Sequence, residues 1–224
     1  MLRILLGTSA LLAMSLPPAP ALANEEDANI WLAQTATINL GEDMTLWLEA
    51  QERFTNDASR LGQLLLRPAI GYRLDSTTTI SLGYAYVQTD PLVGATTEEH
   101  RIFQQLSTRV AGDGRGTTVT ARTRLEQRFF AGQEGTGWRL RQQVRLTAPL
   151  VGKTRLAVWT EPFIGLNQTP FQRDGIGLWR SFAGLSAPLV PGVTIEPGYL
   201  NQQVRRTGRD RTDHVANLTI ATTF

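Results

Sequence analysis

The sequence predicts an all-β fold, an antiparallel up-and-down transmembrane β-barrel of about ten to twelve strands with a polar lumen. The first observation is that apolar and polar side chains alternate from Asn29 to the final Phe224, with turn residues between segments. Successive side chains of a strand point to opposite faces, so this period gives each strand one apolar and one polar face. The second observation is that the polar faces carry many arginines. The third is the aromatic residue that ends the chain.

Residues 1–23 are interpreted as a cleaved signal peptide. Arg3 supplies the positive start, residues 4–16 form a short apolar core, and Ala21-Leu22-Ala23 fits a cleavage site. The apolar core is too short for a membrane-spanning helix, which needs about 20 residues. Residues 24–224 are then expected to form a single outer-membrane β-barrel domain.

Clusters of Gly, Pro, Asp, Asn and Ser divide the mature chain into candidate strands. These lie at 29–40, 43–54, 62–74, 78–88, 98–110, 117–130, 137–149, 154–165, 175–187, 192–204 and 212–224. The connections alternate between tight turns and longer polar loops, as in outer-membrane barrels with short periplasmic turns and longer external loops. Single-chain bacterial barrels have even strand numbers, so either segment 29–40 is not a full strand or one segment folds as two.

Composition limits the classes of partner. The formal net charge of +2 gives no reason to expect nucleic-acid binding. The absence of cysteine fits a bacterial envelope protein that needs no disulfides. Among the 22 basic residues only Lys153 is a lysine, and arginine is the cation suited to crowded, hydrogen-bonded ion pairs.

Arginine and glutamate share the polar faces of the candidate strands. An arginine at the bilayer midplane costs roughly 2–4 kcal/mol, so in a membrane these side chains must face the lumen. The predicted lumen network consists of Glu49, Arg53, Arg67, Glu99, Arg101, Arg122, Arg124, Glu126, Arg128, Arg139, Arg141, Arg145, Glu161, Arg180 and Glu196. Two interpretations of this network remain open. It is either an open lumen that passes small solutes, including anionic ones, or a plug of paired charges in a barrel too narrow for a channel.

Aromatic residues and the last strand indicate a membrane. The apolar faces are capped by Tyr72, Tyr84, Tyr86, Phe129, Trp138, Trp179 and Tyr199. Amphipathic rings near strand ends are typical of membrane interfaces. Phe224 shares a face with Leu218 and Ile220, and this ending resembles the terminal strand by which outer-membrane proteins are recognised for insertion. The expected location is the outer membrane of a Gram-negative bacterium, with lipid and the barrel-insertion machinery as partners.

Several short segments form a series along the mature chain. They are Trp31, EAQERF at 49–54, LLRPAIGY at 65–72, GYAY at 83–86, EHRIFQQ at 99–105, RTRLEQRFF at 122–130, WRLR at 138–141, Glu161, Arg180, Gly184 and EPGY at 196–199. Together they resemble the family called domain of unknown function 2490, over essentially the whole mature chain. The resemblance implies an uncharacterised outer-membrane-type β-barrel. It brings no activity, substrate or catalytic residue.

Enzymatic chemistry is not expected. The sequence has two histidines, and Glu99 and His100 are neighbours in a strand, so they face opposite sides and cannot form a dyad. His214 lies near Asp210 and Asp213, where a Ser-His-acid arrangement could assemble, but no serine is marked out. A lipid-modifying outer-membrane enzyme with a rim site near His214 remains the alternative function.

No cofactor or metal is predicted either. Cysteine is absent, and the two histidines lack the spacing of metal ligands.

Overall fold

The computed structural model describes residues 25–224, so the predicted signal peptide at 1–23 lies outside the described residues. These residues form eleven strands and no helix. The strands are β1 (Glu25–Asn39), β2 (Met44–Thr55), β3 (Arg60–Arg73), β4 (Thr78–Thr89), β5 (Thr97–Ala111), β6 (Thr118–Phe130), β7 (Gly137–Val151), β8 (Thr154–Gly165), β9 (Gly175–Val190), β10 (Val193–Val204) and β11 (Arg211–Thr223). Within this part of the chain, no helix is long and apolar enough to cross a membrane.

The sheet closes into a barrel in which each strand pairs antiparallel with the next along the chain. Closure is made by β1 and β11, which pair in parallel from Glu25 opposite Arg211 to Thr37 opposite Thr223. Consecutive strands alternate in direction, so an odd number brings the first and last strands together pointing the same way. The prediction of an antiparallel up-and-down barrel of ten to twelve strands is confirmed, with one parallel pair at the closure, while the expectation of an even strand number is wrong. β1 is a full strand, and no predicted segment folds as two.

The connections separate the two ends of the barrel. The short-turn end carries the connections at 40–43, 74–77, 112–117, 152–153 and 191–192, and the long-loop end carries those at 56–59, 90–96, 131–136, 166–174 and 205–210. Gly152 and Gly192 have φ of +57° and +79°, the left-handed backbone that lets a two-residue turn join twisted strands. The connection at 56–59 is shorter than the sequence predicts, since three successive residues adopt left-handed backbone there.

The strand period sets the two surfaces of the barrel. In β3 the side chains of Leu65, Arg67 and Ala69 are buried, while Leu66 and Ile70 between and beside them are exposed. The other strands follow the same rule. The exposed set therefore contains many large apolar side chains that point away from the lumen.

Glycines in the barrel wall make room for large inward aromatic rings. A Cβ at Gly83 on β4 would collide with the ring of Phe103 on β5. On the opposite side, a Cβ at Gly184 or Gly198 would collide with the ring of Phe182. Small wall residues beneath rings let an eleven-stranded barrel enclose aromatic side chains that would not otherwise fit.

Candidate functional site

The centre of the site is Arg141, which joins carboxylates from two neighbouring strands. Its Nη1 donates to Glu126 Oε1 at 2.9 Å, and its Nε and Nη2 donate to Glu161 at 3.1 and 3.0 Å. All three residues are buried. Each of the three guanidinium nitrogens of Arg141 therefore donates to a carboxylate. Such complete hydrogen bonding compensates for the cost of burying the charges.

Two more arginines complete this central network, defined here as Arg122, Glu126, Arg139, Arg141 and Glu161. Arg139 donates to Glu126 Oε2 from Nε at 2.8 Å and from Nη2 at 2.5 Å. Arg122 on β6 donates to Glu161 Oε1 on β8 at 2.8 Å. This last contact passes over β7 on the inner side of the wall, where Glu161, Glu126 and Arg141 are buried. The network therefore lies in the lumen.

The remaining glutamates hold separate arginines. Glu99 accepts hydrogen bonds from Arg101 at 2.6 Å and from Arg128 at 2.5 Å. Glu49 lies 3.1 Å from Arg67. Arg145 on β7 pairs with Glu196 on β10, again across the interior. Arg124 lies beside the central network instead. Its Nη1 is 3.9 Å from Glu126 Oε1, and its Nε donates to Gln105 Oε1 at 2.8 Å.

Arg53 and Arg180 differ from the rest of the predicted network. Every other arginine in it has a carboxylate oxygen within salt-bridge distance. Within residues 25–224 these two have none, and they bond instead to neutral amides: Arg53 to Gln51 and Gln63, and Arg180 to Gln202. Their guanidinium carbons lie 3.9 and 4.8 Å from the ring centroid of Trp31. The indole thus contacts two cations that no acid neutralises.

The middle of the lumen is filled. Each of the eleven described strands contributes at least one buried inward side chain. These are Trp31, Gln51, Leu65, Ala85, Phe103, Glu126, Arg141, Glu161, Arg180, Leu200 and Val215. In an open channel the inward side chains of the middle layer would touch water. Burial of inward side chains on every strand favours the plug interpretation over a wide open channel.

The filling is only partly ionic. Trp31, Ala157, Phe182, Leu200 and Val215 form a buried apolar cluster on the side of β1 and β8 to β11. Most arginine–glutamate contacts lie on β2 to β7, while Glu161 on β8 and Glu196 on β10 extend them to the apolar side. Inward aromatic rings lie between the two sides, and Arg141 lies 4.2 Å from the ring centroid of Phe163. The filling therefore combines an apolar part and an ionic part, and both include side chains of β8 and β10.

A cavity of about 690 Å³ opens above this plug at the long-loop end. Its deep wall contains Trp31, Arg53, Arg67, Arg101, Arg139, Arg141, Phe163 and Arg180. Its mouth contains acidic residues, namely Glu25, Glu26, Asp27, Asp57 and Asp90. The lining also includes the buried carboxylates of Glu99 and Asp213, and Arg211 opposite Glu25 at the mouth, so arginines predominate at depth and carboxylates at the entrance. We call this space the loop-end cavity.

The two histidines lie on the outside of the barrel. His100 Nδ1 lies 2.5 Å from the hydroxyl of Tyr84, and His214 Nδ1 lies 2.6 Å from the hydroxyl of Tyr199. Asp213, the residue before His214, is buried in the lumen and accepts a hydrogen bond from Gln202. The structure therefore does not bring the side chains of His214 and Asp213 together. Across residues 25–224, no group of three or more metal-ligating side chains is present.

Sequence reasoning assigned every predicted network residue to the face on which the structure places it, but it missed the aromatic residues inside. Trp31, Phe103 and Phe163 are buried in the lumen. A signal for them existed, because Phe103 has the parity of Arg101 and Phe163 has the parity of Glu161. Parity identifies the face, whereas the stacking of arginines on these rings depends on contacts between distant strands.

The fold and site define a closed, eleven-stranded β-barrel whose interior is rich in arginine and largely buried. The chain belongs to a family described as protein of unknown function (DUF2490), whose model matches residues 28–213. An uncharacterized protein of Methylorubrum extorquens is 34% identical over 224 residues, covering 97% of this chain and 96% of its own length. No solved structure gives a significant match.

Proposed function

We propose that this protein is an integral β-barrel of the outer membrane of a Gram-negative bacterium, closed at its middle, with a cavity that faces the outside. The observation that carries the proposal is the apolar outer surface. Leu66, Ile70, Leu82, Ile102 and Val144 lie on consecutive or nearby strands, each between 44% and 59% exposed. A soluble protein rarely exposes so broad an apolar surface, whereas a membrane barrel presents it to lipid.

Aromatic side chains support the same proposal. Tyr72, Tyr84, Phe129, Trp138, Trp179 and Tyr199 are all exposed on the outer face. Rings with one polar edge are enriched where acyl chains meet headgroups. Phe224 is also exposed, at 70%, which suits a C-terminal residue that the insertion machinery recognises.

The connections orient the barrel. Outer-membrane barrels place short turns in the periplasm and longer loops outside. With this orientation the loop-end cavity opens to the medium and the C-terminus lies at the periplasmic side. The predicted signal peptide at 1–23 supplies the export that this location requires.

The filled middle favours a structural or solute-holding role over steady passage. For small solutes to pass through a narrow pore, the side chains of the central network or of the apolar cluster must move apart. Separation of buried charge pairs is costly, so a permanently conducting state is disfavoured. The proposal includes no catalytic step.

Two measurements test this function. Envelope fractionation with a carbonate wash is expected to leave the processed chain in the outer-membrane pellet, and recovery in the periplasmic extract would refute the location. Refolded protein inserted in planar bilayers is expected to show no steady conductance, with a known open porin as the positive control. Reproducible single-channel steps would show that the lumen is open.

A further inference from the structure

We propose that the deep wall of the loop-end cavity is a binding site for a small soluble molecule with a carboxylate or phosphate group. The oxyanion site, as we name it, consists of Trp31, Arg53 and Arg180. The inference deepens the proposed function and rests on it only for the side of the membrane from which the ligand enters.

The first argument is uncompensated charge. The predicted network holds twice as many arginines as glutamates. Within the described residues, Arg53 and Arg180 are its only arginines without a carboxylate at salt-bridge distance, and both line the loop-end cavity. A buried charge without a counter-charge is unfavourable, so an anion that enters this cavity gains the interaction that the protein does not supply.

The second argument is an unused donor. Trp31 is 3% exposed, and its Nε1 has no hydrogen-bond partner in the part of the chain described. Arg180 engages only its Nε among those residues, which leaves both terminal nitrogens free for an acceptor. Buried donors are nearly always satisfied in folded proteins. Trp31 and Arg180 thus offer unused N–H groups, while Arg53, whose three nitrogens already donate to Gln51 and Gln63, contributes positive charge beside the same indole. An oxyanion has enough lone pairs to accept from several donors at once.

The third argument is the shape of the charge distribution. Glu26, Asp27 and Asp57 at the mouth have no cation within salt-bridge distance in residues 25–224. Carboxylates at an entrance repel polyanions and anionic lipid surfaces. The arginines at depth still attract a small ligand once it has passed the mouth. The ligand is therefore a small soluble oxyanion, and not the headgroup of a lipid that remains in the bilayer.

The test uses the indole N–H of Trp31 as the reporter. The full chain contains five tryptophans, so protein labelled with ¹⁵N-tryptophan in maltoside micelles gives five indole signals. Trp31→Phe identifies the signal of interest by its loss. Inorganic phosphate, acetate and phosphatidic acid doped into the micelles are titrated in separate arms at constant ionic strength. We expect phosphate or acetate to shift the Trp31 signal saturably, with the other four indole signals nearly unchanged.

Arginine variants test the mechanism. Arg53→Gln and Arg180→Gln should each weaken the affinity measured by the titration about tenfold or more, because each removes a positive charge at the site and Arg180→Gln also removes unused donors. Arg155→Gln is the matched control. Arg155 lies at the short-turn end and donates to the backbone oxygens of Arg115 and Gly116, so its loss should change the affinity by less than about twofold. Removal of an unpaired buried charge is not expected to prevent folding.

Each outcome of the titration either supports or overturns the oxyanion site. Absence of a saturable shift in the native protein, or equal weakening by Arg155→Gln, overturns the site. A shift with phosphatidic acid alone overturns the choice of a soluble ligand. The titration is made on refolded protein and does not depend on cellular location, so a failed fractionation and a failed titration are distinguishable.

Discussion

Arg141 Nη1 lies 2.9 Å from Glu126 Oε1, on the neighbouring strands β7 and β6. Arg141 also donates to Glu161 on β8, so one guanidinium connects three strands inside the barrel. Because the contact is buried, its partners have no water to replace a lost bond. The relationship explains how a lumen rich in arginine can be closed without leaving most of its charges isolated.

Removal of Glu126 should destabilise the barrel strongly. Glu126→Ala leaves Arg139 and Arg141 with fewer acceptors in a buried position, and breaking such a pair costs about 3–5 kcal/mol. The midpoint of a urea titration in micelles measures the loss. Glu134→Ala in the exposed 131–136 connection is the matched control and should stay within about 0.5 kcal/mol of the native protein. Equal midpoints for the two variants would contradict the network.

Gly83 should not tolerate a side chain. Its Cβ would collide with the ring of Phe103 and would approach Ala69 Cβ to 2.8 Å. Overpacking of this kind costs about 1–3 kcal/mol, so Gly83→Ala should lower the free energy of unfolding by that amount. Adding Phe103→Leu should recover part of the loss. Gly177→Ala is the control, because the Cβ there meets nothing closer than 3.6 Å. A loss that persists unchanged in the double variant would argue against the ring as its cause.

Ala58 should be improved by glycine. Asn56, Asp57 and Ala58 have φ of 57°, 54° and 56°, and left-handed backbone is unfavourable for alanine. Ala58→Gly should therefore raise stability by up to about 1 kcal/mol. Ala50→Gly, within strand β2, should instead lower it. Thermal unfolding of both variants in the same micelles gives the comparison, and destabilisation by Ala58→Gly would contradict a strained left-handed backbone at residue 58.

The outer surface should reject charge at mid-strand. Leu66 lies near the middle of β3 and is 44% exposed, and an arginine at the bilayer midplane costs roughly 2–4 kcal/mol. Leu66→Arg should lower stability in lipid vesicles by that order, whereas Leu92→Arg in the 90–96 connection should be nearly neutral. In a water-soluble barrel both changes would be mild. Similar effects of the two variants would therefore count against insertion.

Asp75 should titrate at low pH. The hydroxyl and the amide of Thr77 and the amide of Thr78 donate to its carboxylate, and these bonds hold the pKa of Asp75 below its ordinary value. A lowered pKa contributes stability above the pKa of the unfolded chain, about 3.9, and that contribution is lost as the pH falls through the folded pKa. An NMR titration of the carboxyl carbon measures it. Thr77→Val should raise this pKa, and an unchanged value would exclude the hydroxyl as the cause.

Much of this architecture could be predicted from local pattern. The period of two assigned Arg67 to the interior and Leu66 to the exterior without any tertiary information. Gly152 and Gly192 marked their turns, because left-handed backbone favours glycine. The family resemblance was equally accessible, and the matching family model shows it to be right.

The sequence by itself determined which side chains face inward, since parity is a property of the strand. Only the tertiary structure decided how the barrel closes, which arginine meets which glutamate, and why Arg53 and Arg180 remain beside Trp31 without an acid. These features join strands distant along the chain, such as β9 and β1. The physical reason is that alternation fixes the direction of a side chain, whereas a contact across the lumen depends on strand number and register together.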